Sequence, residues 1–222
     1  MLIFHGSEKI IEKPLFGFGN PKKDYGLGFY CTQSKELAKE WACQKNTDGF
    51  ANCYELDTKN LSILDLSEKK FSILHWLSIL MQNRIFAPKS PLGKQNLDFL
   101  ISNYRLNYCD YDIIMGYRAN DSYFSFASDF LENIIPIHSL ASSMKLGSLG
   151  LQVVLKSKKA FETICFVEAE KADCRIYYPQ YKTRDTNARK SYLENLRLQS
   201  PKNSIYLIDI VRNKELLNEI RL

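Results

Sequence analysis

Gly26-Leu27-Gly28-Phe29-Tyr30-Cys31-Thr32 carries two glycines straight into a short aromatic strand. A dinucleotide-binding βαβ unit needs G-x-G-x-x-G and a long helix opening on it, and both are missing here. Instead Ser34 is placed to cap a helix with Leu37, Ala38, Trp41 and Ala42 on one face. A doubly wound sheet is therefore not expected. The two-residue period of a strand sets Phe29 toward the core and Tyr30 outward, where its ring could stack on a bound base.

Outward from this segment, strands and helices mix without a βαβ rhythm. Upstream, Leu2 to His5 reads as a strand ending in His5-Gly6-Ser7, and a loop rich in Gly, Lys and Pro spans Phe16 to Gly28. Downstream, strands are expected at Phe50–Leu56 and Leu61–Leu66, and a buried helix over Glu68–Arg84 carries Phe71, Leu74 and Ile79. Past Pro88 and Pro91 come a helix near Gln95–Tyr104, the apolar strand Tyr111–Gly116 and a helix Ser122–Leu131 capped by Asp121. The loop Lys145–Gly150 leads into strand Leu151–Leu155, Ser157 caps a helical turn, and Ile164–Ala169 closes the series. The pattern predicts an α+β fold, and without repeats or a long linker residues 1–222 form one domain.

A chain of 222 residues with 45% hydrophobic and 25% charged residues and a mean hydropathy of -0.28 excludes disordered and fibrous classes. No window has the roughly 18 apolar residues of a spanning helix; Phe71–Met81 is interrupted by His75 and two serines. The start Met1–His5 lacks the basic residue of a signal peptide, so a cytoplasmic protein is expected. Six cysteines without C-x-x-C spacing and three isolated histidines read as reduced, mostly buried thiols and no metal site; His75 and His138 read as structural. The net charge of +5 is local, since Lys171–Leu222 holds 11 Lys+Arg against 6 Asp+Glu and the rest of the chain balances. There Lys182, Arg184, Arg189 and Lys190 alternate with Tyr177, Tyr178, Tyr181 and Tyr192. That mixture suits a nucleic-acid groove, but the commoner arrangement, and the one favoured here, is a solvated helix face with aromatic anchors in the core.

Taken in order, Phe4-His5-Gly6-Ser7, Asp24–Thr32, Ala38–Ala42 with Trp41, Trp76 and Arg84, Tyr111–Asp121 and Gln152–Leu155 resemble the NAD-binding half of the ADP-ribosyltransferase superfamily. The resemblance is to the His-Tyr-Glu branch of diphtheria toxin and the poly(ADP-ribose) polymerases. It is closer still to an uncharacterised bacterial toxin-like family of that clan, often encoded beside a small partner gene. It implies a split mixed or antiparallel sheet with flanking helices, and NAD as co-substrate without a metal. His5 would bond the adenosine ribose, the Gly6 backbone would hold the carboxamide, and Tyr30 would stack on the nicotinamide ring. Ser7 and Gly28 lie in the same motifs as cofactor-binding residues. Gln152 stands on the strand where the branch has its glutamate, leaving Glu162 and Glu168 as the next carboxylates. Lys145–Gly150 falls where related transferases have a substrate-recognition loop.

Breaking the nicotinamide–ribose bond puts positive charge on the sugar, which a glutamate stabilises by charge and a glutamine only by hydrogen bonds. Arg118 could contact a pyrophosphate with Asp121 orienting it, or form a surface pair beside a helix cap. The implied function is mono-ADP-ribosyl transfer to a protein or nucleic-acid acceptor with release of nicotinamide, by the toxin of a toxin–antitoxin pair with a small antitoxin protein. NAD glycohydrolysis and non-catalytic NAD or nucleotide binding are the alternatives. The basic segment is where an acceptor or partner contact is expected.

Overall fold

A computed structural model describes residues 1–119, 121–143, 150–197 and 204–216, the side chains of 121–123 and 195–197 apart. The fold is α+β. Strands β1 (Leu2–Ser7), β2 (Phe29–Thr32), β3 (Gly49–Leu56), β4 (Ile63–Asp65), β5 (Ile113–Tyr117), β6 (Leu151–Leu155) and β7 (Ile164–Ala172) form one mixed sheet of order β4-β5-β6-β2-β1-β3-β7. The β4–β5 pair is parallel and the other neighbours are antiparallel.

Between the strands lie α1 (Lys35–Ala42), α2 (Ile73–Asn83), α3 (Pro91–Tyr104), α4 (Asp121–Leu131), α5 (Ile137–Ser143), α6 (Lys158–Glu162), α7 (Cys174–Arg197) and α8 (Leu207–Arg212). Ser34 Oγ accepts from the Leu37 N–H, the expected cap of α1. The predicted helix over 68–84 begins instead at Ile73, where His75 Nδ1 accepts from the Ser72 N–H, a capping role for that histidine. His138 is exposed on α5. Of the six free thiols, Cys31, Cys43 and Cys53 are buried, whereas Cys109 and Cys165 are exposed. Among the described residues no helix is long and apolar enough to cross a membrane.

Alternation along β2 sends Phe29 and Cys31 into one core with Ile3, Tyr54 and Val153, and Tyr30 into the other with Trp76, Ile114 and Val154. The opposite-face expectation therefore holds, but Tyr30 is 7% exposed rather than at the surface. Helices cover the face where a solvated side was expected, so both sides of the central strands are core.

The sheet is weakest at its centre. Six residue pairs join β1 to β3, whereas β1 meets β2 at Phe4–Thr32 alone among the described residues. Past that pair the two strands part, and a cleft opens between them.

The basic segment is mostly α7, which packs on the domain through Ala188 and Tyr192, the latter stacked on Phe126 at 3.9 Å. This is the aromatic anchor of the helix-face reading. Arg184 forms a two-pronged bond to Glu40, Nε–Oε2 2.9 Å and Nη2–Oε1 2.7 Å, with the Glu40 side chain 2% exposed. Arg189 pairs with Asp185 one turn back. Arg184, in the segment where an acceptor or partner contact is expected, thus holds the helix on the domain, whereas the Arg189–Asp185 pair lies within α7. Arg184→Glu would set two carboxylates together in a buried spot, and a loss of about 3–5 kcal/mol in urea unfolding is expected. A change within about 0.5 kcal/mol, normal for a surface site, would contradict this role.

Candidate active site

His5 sits where the central strands part. Its Nδ1 is 2.7 Å from the Tyr30 carbonyl oxygen, and its ring lies 4.4 Å from that of Phe29. A carbonyl only accepts, so Nδ1 carries the hydrogen and Nε2 is left as an acceptor. Thus a side chain supplies the donor that the interrupted strand ladder lacks. Burial pushes the imidazole pKa down to about 4, against the raising effect of the Tyr30 carbonyl and assisted by the Lys23 charge.

Between pH 6.5, the ordinary value, and about 4, the unfolded chain takes up a proton that the folded chain refuses. His5 therefore removes stability as pH falls through that window and has no further effect below it. His5→Gln is expected to flatten the stability-versus-pH curve there, measured by urea unfolding at successive pH values. Parallel wild-type and variant curves would contradict the assignment.

Gly6 lies under α1: a Cβ on it would meet Ala38 O at 2.0 Å and Ala42 N at 2.8 Å. That close seat brings Trp41 beside His5. On the opposite side, the Tyr30 hydroxyl donates to Gly26 O at 2.6 Å and accepts from the Tyr25 N–H at 3.0 Å. Gly26 has φ +73, a left-handed conformation that glycine adopts without strain. Lys156 also reaches this turn, its Nζ donating to Leu27 O at 2.5 Å and to Tyr25 O. Burial holds the Tyr30 phenol far above its ordinary pKa, so the ring is neutral and fixed at both ends.

These groups line a cleft of about 320 Å³. His5, Gly6, Tyr30, Arg118 and Gln152 of the sequence-predicted residues meet there, as do Trp41 and Arg84 of the same motifs. Lys22, Lys23, Arg84 and Arg118 bring four positive charges to it, and Asp24 is the one carboxylate among its described lining residues. Asp24 is itself engaged: Oδ2 accepts from the Ala119 N–H at 2.8 Å, and Arg84 Nη1 lies 3.3 Å from Oδ1. Burial raises the Asp24 pKa, opposed by that N–H and by the cations. The surplus of positive charge suits a phosphate-bearing ligand.

Two buried polar atoms of residues that line the cleft, Gln152 Oε1 and Trp41 Nε1, have no hydrogen-bond partner among the described residues. Gln152 is 5% exposed. An unpaired buried polar group costs about 1–3 kcal/mol, and here one acceptor and one donor without partners belong to side chains that line the same cleft.

Other predicted residues lie elsewhere. Ser7 Oγ donates to Lys9 O and accepts from Asn52 Nδ2, outside the cleft lining. Gly28 is there for packing, since a Cβ would meet Leu155 O and Val154 Cγ1 at 2.8 Å. The Asp121 side chain and residues 145–149 of the proposed recognition loop fall outside the described residues. Glu168 lies opposite Cys53 on the edge strand β7, and Glu162 is exposed on α6; neither lines the cleft. Lys22, Lys23, Asn20 and Gln44 carry no sequence signal that marks them, and Tyr181 of α7 joins them, so the basic segment shares this wall. The described residues also bring Asp48, Asp173 and Cys174 together at the start of α7, where Lys171 pairs with Asp48 at 2.9 Å.

The family described as a protein of unknown function (DUF3990) matches residues 1–166, which include every predicted site residue. No curated protein and no solved structure matches the chain.

Proposed function

The chain belongs to the DUF3990 family, and for this member we propose NAD-dependent mono-ADP-ribosyl transfer to a macromolecular acceptor. The observation that carries the reading is the meeting of His5, Tyr30 and Gln152, far apart in sequence, in one cation-lined cleft. Each has a chemical part in it. The cations attract the pyrophosphate, and the free Nε2 of neutral His5 accepts from a ribose hydroxyl. The Tyr30 ring is a flat, immobilised platform for nicotinamide. Gln152 Oε1 accepts from the ribose 2′-hydroxyl next to the carbon that loses its base. The C1′–N bond breaks with its electron pair leaving on neutral nicotinamide, and the acceptor's nucleophile captures C1′ and gives up a proton. Positioning by the fixed groups of the cleft supplies the catalysis that a glutamate would supplement by charge.

In this reading the protein is the cytoplasmic toxin of a toxin–antitoxin pair, with a small antitoxin as partner. Incubating it with NAD labelled in the adenylate part and a cell extract tests the proposal. Labelled macromolecules are expected, sensitive to protease or to nuclease according to the acceptor, and absent with His5→Ala or Tyr30→Ala. Nicotinamide release without labelled product would indicate a glycohydrolase instead. The neutral Gln152, with Asp24 committed to Arg84 and Ala119, favours a second reading as a non-catalytic NAD or nucleotide binder. Binding without nicotinamide release is its signature.

A further inference from the structure

Two aromatic rings on the cleft wall each carry a cation: Arg118 Cζ lies 4.2 Å from the Trp41 ring centroid, and Lys23 Nζ lies 5.0 Å from that of Tyr30. Lys23 belongs to the exposed loop before the glycine turn, yet its ammonium is turned into the cleft. Among the described residues no hydrogen bond or ion pair holds that ammonium. The adjacent Asp24 carboxylate is taken by Arg84 and the Ala119 N–H. Desolvation of the head group, and then the Arg118 charge, lower the Lys23 pKa, with the neighbouring Asp24 charge opposing them.

We propose that Lys23 is a specificity-determining residue, occupying the Tyr30 face that nicotinamide would take and setting the cleft against the cationic end of NAD and in favour of the ADP-ribose part. The inference rests on the NAD reading. One ring face holds one cation at a time. A pyridinium arriving there has to displace the ammonium toward Lys22 and Arg118, whereas ADP-ribose brings two phosphate charges and no pyridinium. Nicotinamide loses its charge when the glycosidic bond breaks, so return of Lys23 to the ring would also help to expel it.

Calorimetric titration of wild type, Lys23→Met and Lys23→Arg with NAD and with ADP-ribose tests this. Met keeps the length of the side chain and removes the charge; circular dichroism checks that each variant is folded. The ratio of the NAD Kd to the ADP-ribose Kd is expected to fall about tenfold in Lys23→Met, the size of one lost cation contact at a partly desolvated site, and to stay near wild type in Lys23→Arg. Binding of both ligands with an unchanged ratio in Lys23→Met would overturn the role of Lys23 and leave the NAD reading standing. Failure of either ligand to bind any folded form would overturn both.

Discussion

Gly6→Ala is expected to destabilise the protein by more than about 3 kcal/mol, the upper end of ordinary overpacking. The added methyl would meet Ala38 O at 2.0 Å, Ala42 N at 2.8 Å and Trp41 Cβ at 2.9 Å, and two of these three are backbone atoms of α1. Neither side can give way easily. Strand β1 is paired with β3 from Leu2–Glu55 through Ser7–Phe50, and α1 is tied down by its Ser34 cap and by Lys39 and Glu40, which pair with Glu170 and Arg184. Relief would have to come from lifting α1, which would carry Trp41 off the cleft wall, so ligand binding should fall with stability. Urea unfolding measures the effect, and a loss below about 1 kcal/mol would contradict the close seat of α1 on β1.

Much of this arrangement is legible in the sequence. The resemblance of the ordered motifs to one superfamily brings His5-Gly6, the Gly26–Thr32 segment and the Gln152 strand together, and all three contribute to one cleft; the turn expected after His5 is instead a continuation of β1 to Ser7. Period-two alternation correctly separates Phe29 from Tyr30 but says nothing of what covers each face. Tyr30 is buried because α2 and α4 bring Trp76 and Phe126 to that side, a tertiary fact without a local signal. For the same reason composition does not mark the cations of the cleft, although the expected NAD contacts all fall in the balanced part of the chain. It locates the basic excess in residues 171–222, while the charges that face the cleft come from the balanced part of the chain. Arg184 and Glu40 are 144 residues apart, and nothing in either segment marks them as partners. Helix α7 has a polar sequence with Pro179 inside it, which hides both its length and its place in the wall.

Gln152→Glu is the second large effect, and it acts on rate rather than stability. The substitution keeps the shape of the side chain and puts a carboxylate where Oε1 now has no partner among the described residues. Burying a charge is costly in an apolar setting, but this cleft holds Lys22, Lys23, Arg84 and Arg118, and the carboxylate nearest them is already paired. A carboxylate beside C1′ stabilises the developing positive charge that an amide can only solvate. Removing one such preorganised group from an enzyme costs about 10²–10³ in rate, so adding one is expected to speed nicotinamide release by a similar factor. Steady-state assay of both forms at saturating NAD checks this. An equal or slower rate in a folded Gln152→Glu protein would show that Gln152 does not face the reacting carbon.

In the proposed function His5 and Tyr30 hold NAD in this cleft for cleavage. The most direct measurement is nicotinamide released from NAD by purified wild type, alone and with extract as the source of acceptor, beside His5→Ala and Tyr30→Ala. Release by wild type and a fall of about 10² or more in each variant is the predicted result. Wild-type protein that releases no nicotinamide under either condition, or variants that release it as fast as wild type, would contradict the account.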